Sequence, residues 1–224
     1  AGIGVRNVPT RIKTGLIVFI SLIIMPTLPP VAQPDLMSGQ MFLEVILQLL
    51  IGFALGFLSL MFINTFVLAG QLLATQTGLG FASMVDPASG VNVPAIGQFY
   101  LILATLLFWI FDGHLIMIQM LVFSFETLPI NGQWWEVTSY WTVIEFAGWM
   151  FATALAIALA PVVSMLVVNL SFGIMTRAAP QLNIFSIGFP VTMLAGLVIL
   201  WLTLDTFLFH YGKQWQHVID YSCR

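Results

Sequence analysis

Charge is what this sequence has least of: Asp, Glu, Lys and Arg make up 7% of its 224 residues, while 60% are hydrophobic. Soluble domains carry about 25% charged and about 45–50% apolar residues. A chain this poor in charge cannot clothe itself for water, so most of its surface must meet lipid or other apolar protein. The six Lys and Arg are too few and too scattered for the basic stripe that nucleic-acid binding needs, and the net charge is −3. Nucleic acid is therefore excluded as a partner. Cysteine is nearly absent too. Cys223 stands alone near the C-terminus, which excludes an intrachain disulfide, a zinc cluster and a CxxC redox pair.

Motifs of catalysis and nucleotide binding are missing in the same way. His114, His210 and His217 show none of the spacing that a metal site such as HExxH requires. His210 and His217, two helical turns apart, read as polar groups at a membrane interface. Ser83 with His114 lacks the strained elbow that activates a serine. Gly78-Leu-Gly80 lacks the third glycine of a dinucleotide fingerprint, and there is no Walker loop. A chain without enzymatic activity, cofactor or metal is expected.

What the sequence does have is apolar runs, most of them of the wrong length. Arg6, Arg11 and Lys13 precede the first and no further Lys or Arg follows until Arg177, which by the positive-inside rule puts the start in the cytoplasm. The run Gly15 to Met25 ends at Pro26 and gives roughly 16 Å of helix, too short to span alone. Met41 to Thr77 would give roughly 55 Å, well beyond a hydrocarbon core of about 30 Å, so part of it must bend or leave the bilayer. Gly52 and Gly56 form a GxxxG there, and Asn64, Gln71, Thr75 and Gln76 point to a C-terminal half packed on protein.

Gly78 to Pro94 is punctuated by Gly78, Gly80, Pro87, Gly90 and Pro94 and reads as a structured loop. Ala95 to Phe125 is split at Asp112-Gly-His114, predicting a broken helix or tight hairpin with arms of about 17 and 11 residues. Ser139 to Met175 again exceeds a bilayer, with Pro161 as the expected kink. Ile184 to Phe209 reads as one ordinary span of about 26 residues. No repeat or linker divides the chain, so residues 1–224 are expected to form a single domain. The predicted class is an all-α membrane protein of long, bent and broken helices that completes its packing in an assembly.

Ionisable groups inside apolar runs are costly, about 2.5–3.5 kcal/mol on insertion scales, and are functional suspects by default. Here Asp112 reads as a turn residue, Glu145 as a group near a helix start and Asp205 as one near the interface. Arg177 reads either as a loop arginine on the cytoplasmic side or as the partner of a carboxylate on a neighbouring subunit. Met84, in the glycine-rich loop, is the methionine best placed for a deformable seal.

Four strings carry a resemblance: Val85-Asp-Pro-Ala-Ser89, Asp112-Gly-His114, Thr127-Leu-Pro-Ile130 and Arg177-Ala-Ala-Pro-Gln-Leu-Asn-Ile-Phe-Ser-Ile-Gly-Phe-Pro190. In these, and from Val8 to about Phe209, the chain resembles the FliR family, a core subunit of the flagellar protein-export gate. The last string is the specific one. Virulence-type relatives usually have a lysine soon after its final proline, and Phe189 to Gly196 holds none, which favours the flagellar branch. Family members also begin with a further apolar helix ahead of the Val-Pro-x-Arg segment, which this sequence does not contain.

The resemblance implies helical hairpins stacked in a hetero-oligomeric core with several copies of the P-type and Q-type gate proteins. Unfolded flagellar proteins leave the cytoplasm through this core. The B-type switch protein and the large A-type export protein are implied neighbours, with inner membrane lipid around the base of the assembly in the flagellar basal body. The family's pore-plugging loop matches Gly78 to Ala95. Phe81, Met84 and Val85 are then its apolar plug, and Gly78, Gly80, Asp86 and Pro87 shape it. Interface positions are implied at Gly52, Gly56, Arg177, Pro180, Gln181, Asn183, Gly188 and Pro190. The competing reading of the residues is a secondary transporter using Asp112 or Glu145 for coupling ions, against which no inverted repeat is visible.

Overall fold

A computed structural model of the chain describes residues 9–28, 39–81, 83–85, 92–127, 138–178 and 187–222. Seven α-helices carry these residues, as an all-α class requires. They are α1 (Thr10–Ile24), α2 (Gly39–Thr77), α3 (Ala95–Ile110), α4 (Gly113–Thr127), α5 (Thr138–Ala178), α6 (Phe189–Leu202) and α7 (Leu204–Ser222). Three of them are long and apolar enough to cross a membrane, and up to five crossings arise if α3 with α4 and α6 with α7 each make one bent span.

The first helix corrects an expectation. It starts at Thr10, ahead of the apolar run, because Arg11 and Lys13 lie at a helix end where their long side chains can reach water. A 3-10 turn over Met25–Thr27 accepts Pro26 near its start. Together these form an 18-residue candidate span, about 28 Å long, enough to cross a hydrocarbon core. Only 6% of it is buried.

Helices α2 and α5, of 39 and 41 residues, form the frame. At 1.5 Å per residue α2 is about 58 Å long. Holding that within 30 Å would need a tilt of roughly 60°, outside the 0–40° that spans adopt. A straight α2 would therefore reach beyond the hydrocarbon. The burial pattern of α2 divides it: Leu47 is buried in the first half, whereas Phe62, Ile63, Thr65, Phe66, Val67, Ala69, Leu73, Ala74 and Thr77 are buried in the second. The polar C-terminal half is thus the half that packs on protein. Its neighbours are mainly α5 and α3. Helix α5 stays helical on both sides of Pro161, which is fully buried.

The two bent pairs have local causes. Asp112 takes φ 53° between α3 and α4, and its carbonyl accepts from the Leu115 and Ile116 amides, so α4 restarts at 69° to α3. A short Asp tolerates this left-handed conformation better than the bulky residues around it. The expectation of one ordinary span over Ile184 to Phe209 is overturned, because α6 and α7 bend by 48° at Thr203. The Thr203 hydroxyl donates back to Ile199 O at 2.8 Å, where its own amide also binds, a competition that bends helices. The Tyr100 hydroxyl bonds the Thr203 side chain and ties the bend to α3. Asp205, in the first turn of α7, complements that helix's positive end.

Helix α7 is amphipathic, and its buried residues Phe207, Tyr211, Gln214 and Trp215 follow helical spacing along one face. That face meets the aromatic core. Phe66 lies 5.1 Å from Phe207 and 5.0 Å from Tyr211, Phe62 lies 5.7 Å from Trp215, and Tyr100 lies 4.8 Å from Phe207. Most of these rings meet tilted or edge-on, the arrangements that aromatic quadrupoles favour.

Candidate functional site

The candidate loop hangs between the end of α2 and the start of α3, so the joint between these helices sets its base. Gly70 and Gly97 bring the two backbones together. A Cβ on Gly70 would lie 2.8 Å from Gly97 Cα and 2.9 Å from Ile96 O, so only glycine permits the contact. The GxxxG glycines Gly52 and Gly56 have nothing within 4 Å of their absent Cβ atoms. Within this chain, close backbone approach therefore occurs at Gly70 and Gly97, a pair the sequence reading missed because they are not at GxxxG spacing.

At the end of α2 the chain turns on Gly78, whose φ of 73° is a region that glycine enters without penalty. A 3-10 turn over Leu79–Phe81 follows, and the Leu79 amide donates to Thr77 Oγ1 at 3.4 Å. Strand β1 (Ser83–Val85) then pairs antiparallel with β2 (Asn92–Pro94), with Ser83 opposite Pro94 and Met84 opposite Val93. The structured loop is thus a short β-ribbon whose second strand runs directly into α3. Alternation in three residues per strand is too brief a signal to be read from sequence. Met84 and Val85 lie on its first strand and Phe81 ends the 3-10 turn ahead of it; Asp86 and Pro87 fall outside the described residues.

Two other helices hold this base. Asn169 of α5 donates to Gln76 O at 3.2 Å. Gly196 of α6 accommodates Thr77, whose Cβ would lie 2.8 Å from a Cβ at 196. The ring of Phe189, the first residue of α6, comes within 2.9 Å of where a Gly78 Cβ would stand. The structure therefore brings together two strings far apart in sequence, the loop start and the Gly188-Phe-Pro190 end of the long signature.

The remaining expected interface positions are spread out. Arg177 is exposed in the last turn of α5, where its charge favours the helix's negative end. Gly188 is buried and Pro190 exposed at the start of α6. Pro180, Gln181 and Asn183 lie outside the described residues. Asp112, Glu145 and Asp205 are all exposed on the chain itself. The His114 and Trp109 rings meet tilted with centroids 4.7 Å apart, and no group of three or more His, Cys, Asp or Glu that could hold a metal occurs among the described residues.

One polar pair is buried deep in the apolar core: Gln214 Nε2 donates to Thr65 Oγ1 at 3.1 Å, and both residues are fully buried. An apolar cavity of about 70 Å³ is bordered by Phe62, Phe108, Gly113, Met117, Phe146 and Trp215. Neither feature presents a nucleophile or a paired acid and base. What dominates the molecule is unburied apolar surface, since only 17% of the α2 span and 28% of the α5 span are covered.

Long apolar helices left bare along most of their length, three to five of them candidate spans, define a helical membrane protein. The family model of bacterial export proteins, family 1, matches residues 1–218, and the chain belongs to this family. Its relatives within it are FliR proteins, as the sequence strings indicated. The chain is 40% identical over 192 residues to the flagellar biosynthetic protein FliR of Escherichia coli K12, covering 86% of this chain and 73% of that protein. It is 39% identical to FliR of Pectobacterium carotovorum, over 89% of this chain and 76% of the relative. To FliR of Bacillus subtilis it is 29% identical, over 88% and 77%.

Proposed function

We propose that this chain is a non-enzymatic core subunit of the flagellar protein-export gate in the bacterial inner membrane, at the flagellar basal body. In this reading it helps to form and close the channel through which unfolded flagellar proteins leave the cytoplasm. The observation that carries the reading is membership of the export family with FliR relatives at up to 40% identity. The bare apolar faces support it physically. Phe42, Leu49 and Phe53 of α2 and Leu166, Leu170 and Ile174 of α5 are exposed on helices too long for a bilayer, and water would not tolerate such faces beyond the hydrocarbon. P-type and Q-type gate subunits are the proposed cover, with Gly52, Gly56, Arg177 and the Pro180 to Pro190 segment at the contacts. The B-type and A-type export proteins lie next in the assembly.

The ribbon from Gly78 to Ala95 is the proposed plug. Apolar side chains at Phe81, Met84 and Val85 would exclude ions by dewetting a constriction, and opening would displace the ribbon. The test is to purify the chain with its genomic neighbours in mild detergent and weigh the intact particle. A large complex containing both gate partners is expected. A lone, stable, monodisperse protein would overturn the reading and favour a transporter. In the complete complex, Met84→Ala should let small ions leak, and an unchanged permeability would remove the plug assignment.

A further inference from the structure

Three contacts from α5 and α6 hold the end of α2, beside the packing of Leu73 and Ala74 against Ile96 of α3. Asn169 holds the carbonyl of Gln76, Gly196 receives Thr77, and the Phe189 ring lies across Gly78. The first two contacts act on the helix and give it a fixed end. The third acts on the residue where the chain leaves the helix. Gly78 sits at φ 73° with an aromatic ring against its α-carbon, so its φ and ψ cannot change far without pushing that ring aside. Phe189 is still 40% exposed.

We infer that Phe189 is a positioning residue for the gate loop: a strut by which α6 sets the direction the ribbon takes from α2. Asn169 and Gly196 anchor the helix end against which the strut acts. The far end of the ribbon runs from Pro94 straight into α3, which Gly97 seats on Gly70. A shift of α6 would thus release the ribbon at Gly78 while the α2–α3 joint stays closed. The inference rests on the reading of residues 78–95 as the plug, and its test separates the two.

The experiment uses the complete complex, with Cys223→Ser and a nitroxide label on Ser83→Cys in the same strand, and reads both the mobile fraction of the label and ion leak through reconstituted vesicles. Truncating the ring in Phe189→Ala is expected to raise the ratio of mobile to immobile label about tenfold, the change that about 1.4 kcal/mol makes. Phe189→Leu, which refills much of the space, should restore most of the order. A mobile fraction that does not change in Phe189→Ala overturns the strut whatever the leak does. A raised mobile fraction in a tight membrane keeps the strut and overturns the plug reading instead. If Phe189→Ala prevents assembly, Gly78→Ala carries the test, because its added Cβ drives the ring away from the other side. An immobile label in that variant would refute the inference.

Discussion

Replacing Gly70 by alanine should part α2 from α3, and the structure lets the cost be worked out. The new Cβ would lie 2.8 Å from Gly97 Cα, 2.9 Å from Ile96 O and 3.1 Å from Gly97 N. All three are backbone atoms of a helix start and cannot rotate away, so the helices must separate. Overpacking of this kind costs about 1–3 kcal/mol, and alanine's better helix propensity returns up to about 1 kcal/mol. A net loss of up to about 2 kcal/mol would lower Tm by up to roughly 8 °C in a chain of this size. The mirror substitution provides the control. At Gly97 a Cβ would meet the flexible Gln71 Cγ at 3.4 Å and Val67 O at 3.5 Å, ordinary contacts that leave the propensity gain in place. Gly97→Ala should therefore be neutral or slightly stabilising. Thermal unfolding of both variants in detergent, followed by the fluorescence of the seven tryptophans, tests the difference. A Gly70→Ala protein as stable as Gly97→Ala would refute the close approach of these backbones.

Thr65→Val should cost about 1–3 kcal/mol by stranding the buried amide of Gln214, whereas Thr65→Val with Gln214→Leu should recover most of the loss; a Tm for the double variant no higher than for the single would contradict this. Gly196→Ala should destabilise through its clash with Thr77, and Thr77→Ser, which removes the methyl but keeps the hydroxyl that donates to Ala74 O, should relieve part of it. A double-mutant cycle should show coupling of about 0.5–3 kcal/mol between these neighbours, and strictly additive Tm changes would count against the contact. Arg177→Ala should lower the yield of assembled complex without changing which substrates are exported; a normal yield by size-exclusion chromatography would remove Arg177 from the subunit contacts.

Composition alone determined that this is an apolar, helical membrane protein, because 7% charge leaves no way to solvate its surface. The long helices and the break at Asp112 were equally legible, since run length and turn-forming residues act locally. The FliR strings identified the family. Tertiary structure decided the rest. Thr203 bends the last pair because its hydroxyl finds the Ile199 carbonyl and Tyr100 bonds it from α3; threonine is too common within helices for that bend to be read from sequence. The ribbon pairs over three residues at each end of the loop, below the length at which strand alternation shows. The GxxxG at Gly52 and Gly56 was visible yet unused within the chain, while Gly70 and Gly97 made the close contact. Glycine spacing shows where a backbone can be approached, and only packing decides which other backbone arrives there. Phe189 on Gly78 is the same case: both residues lay inside strings already marked, but their contact depends on how α6 crosses the end of α2, a long-range geometry that no local pattern encodes.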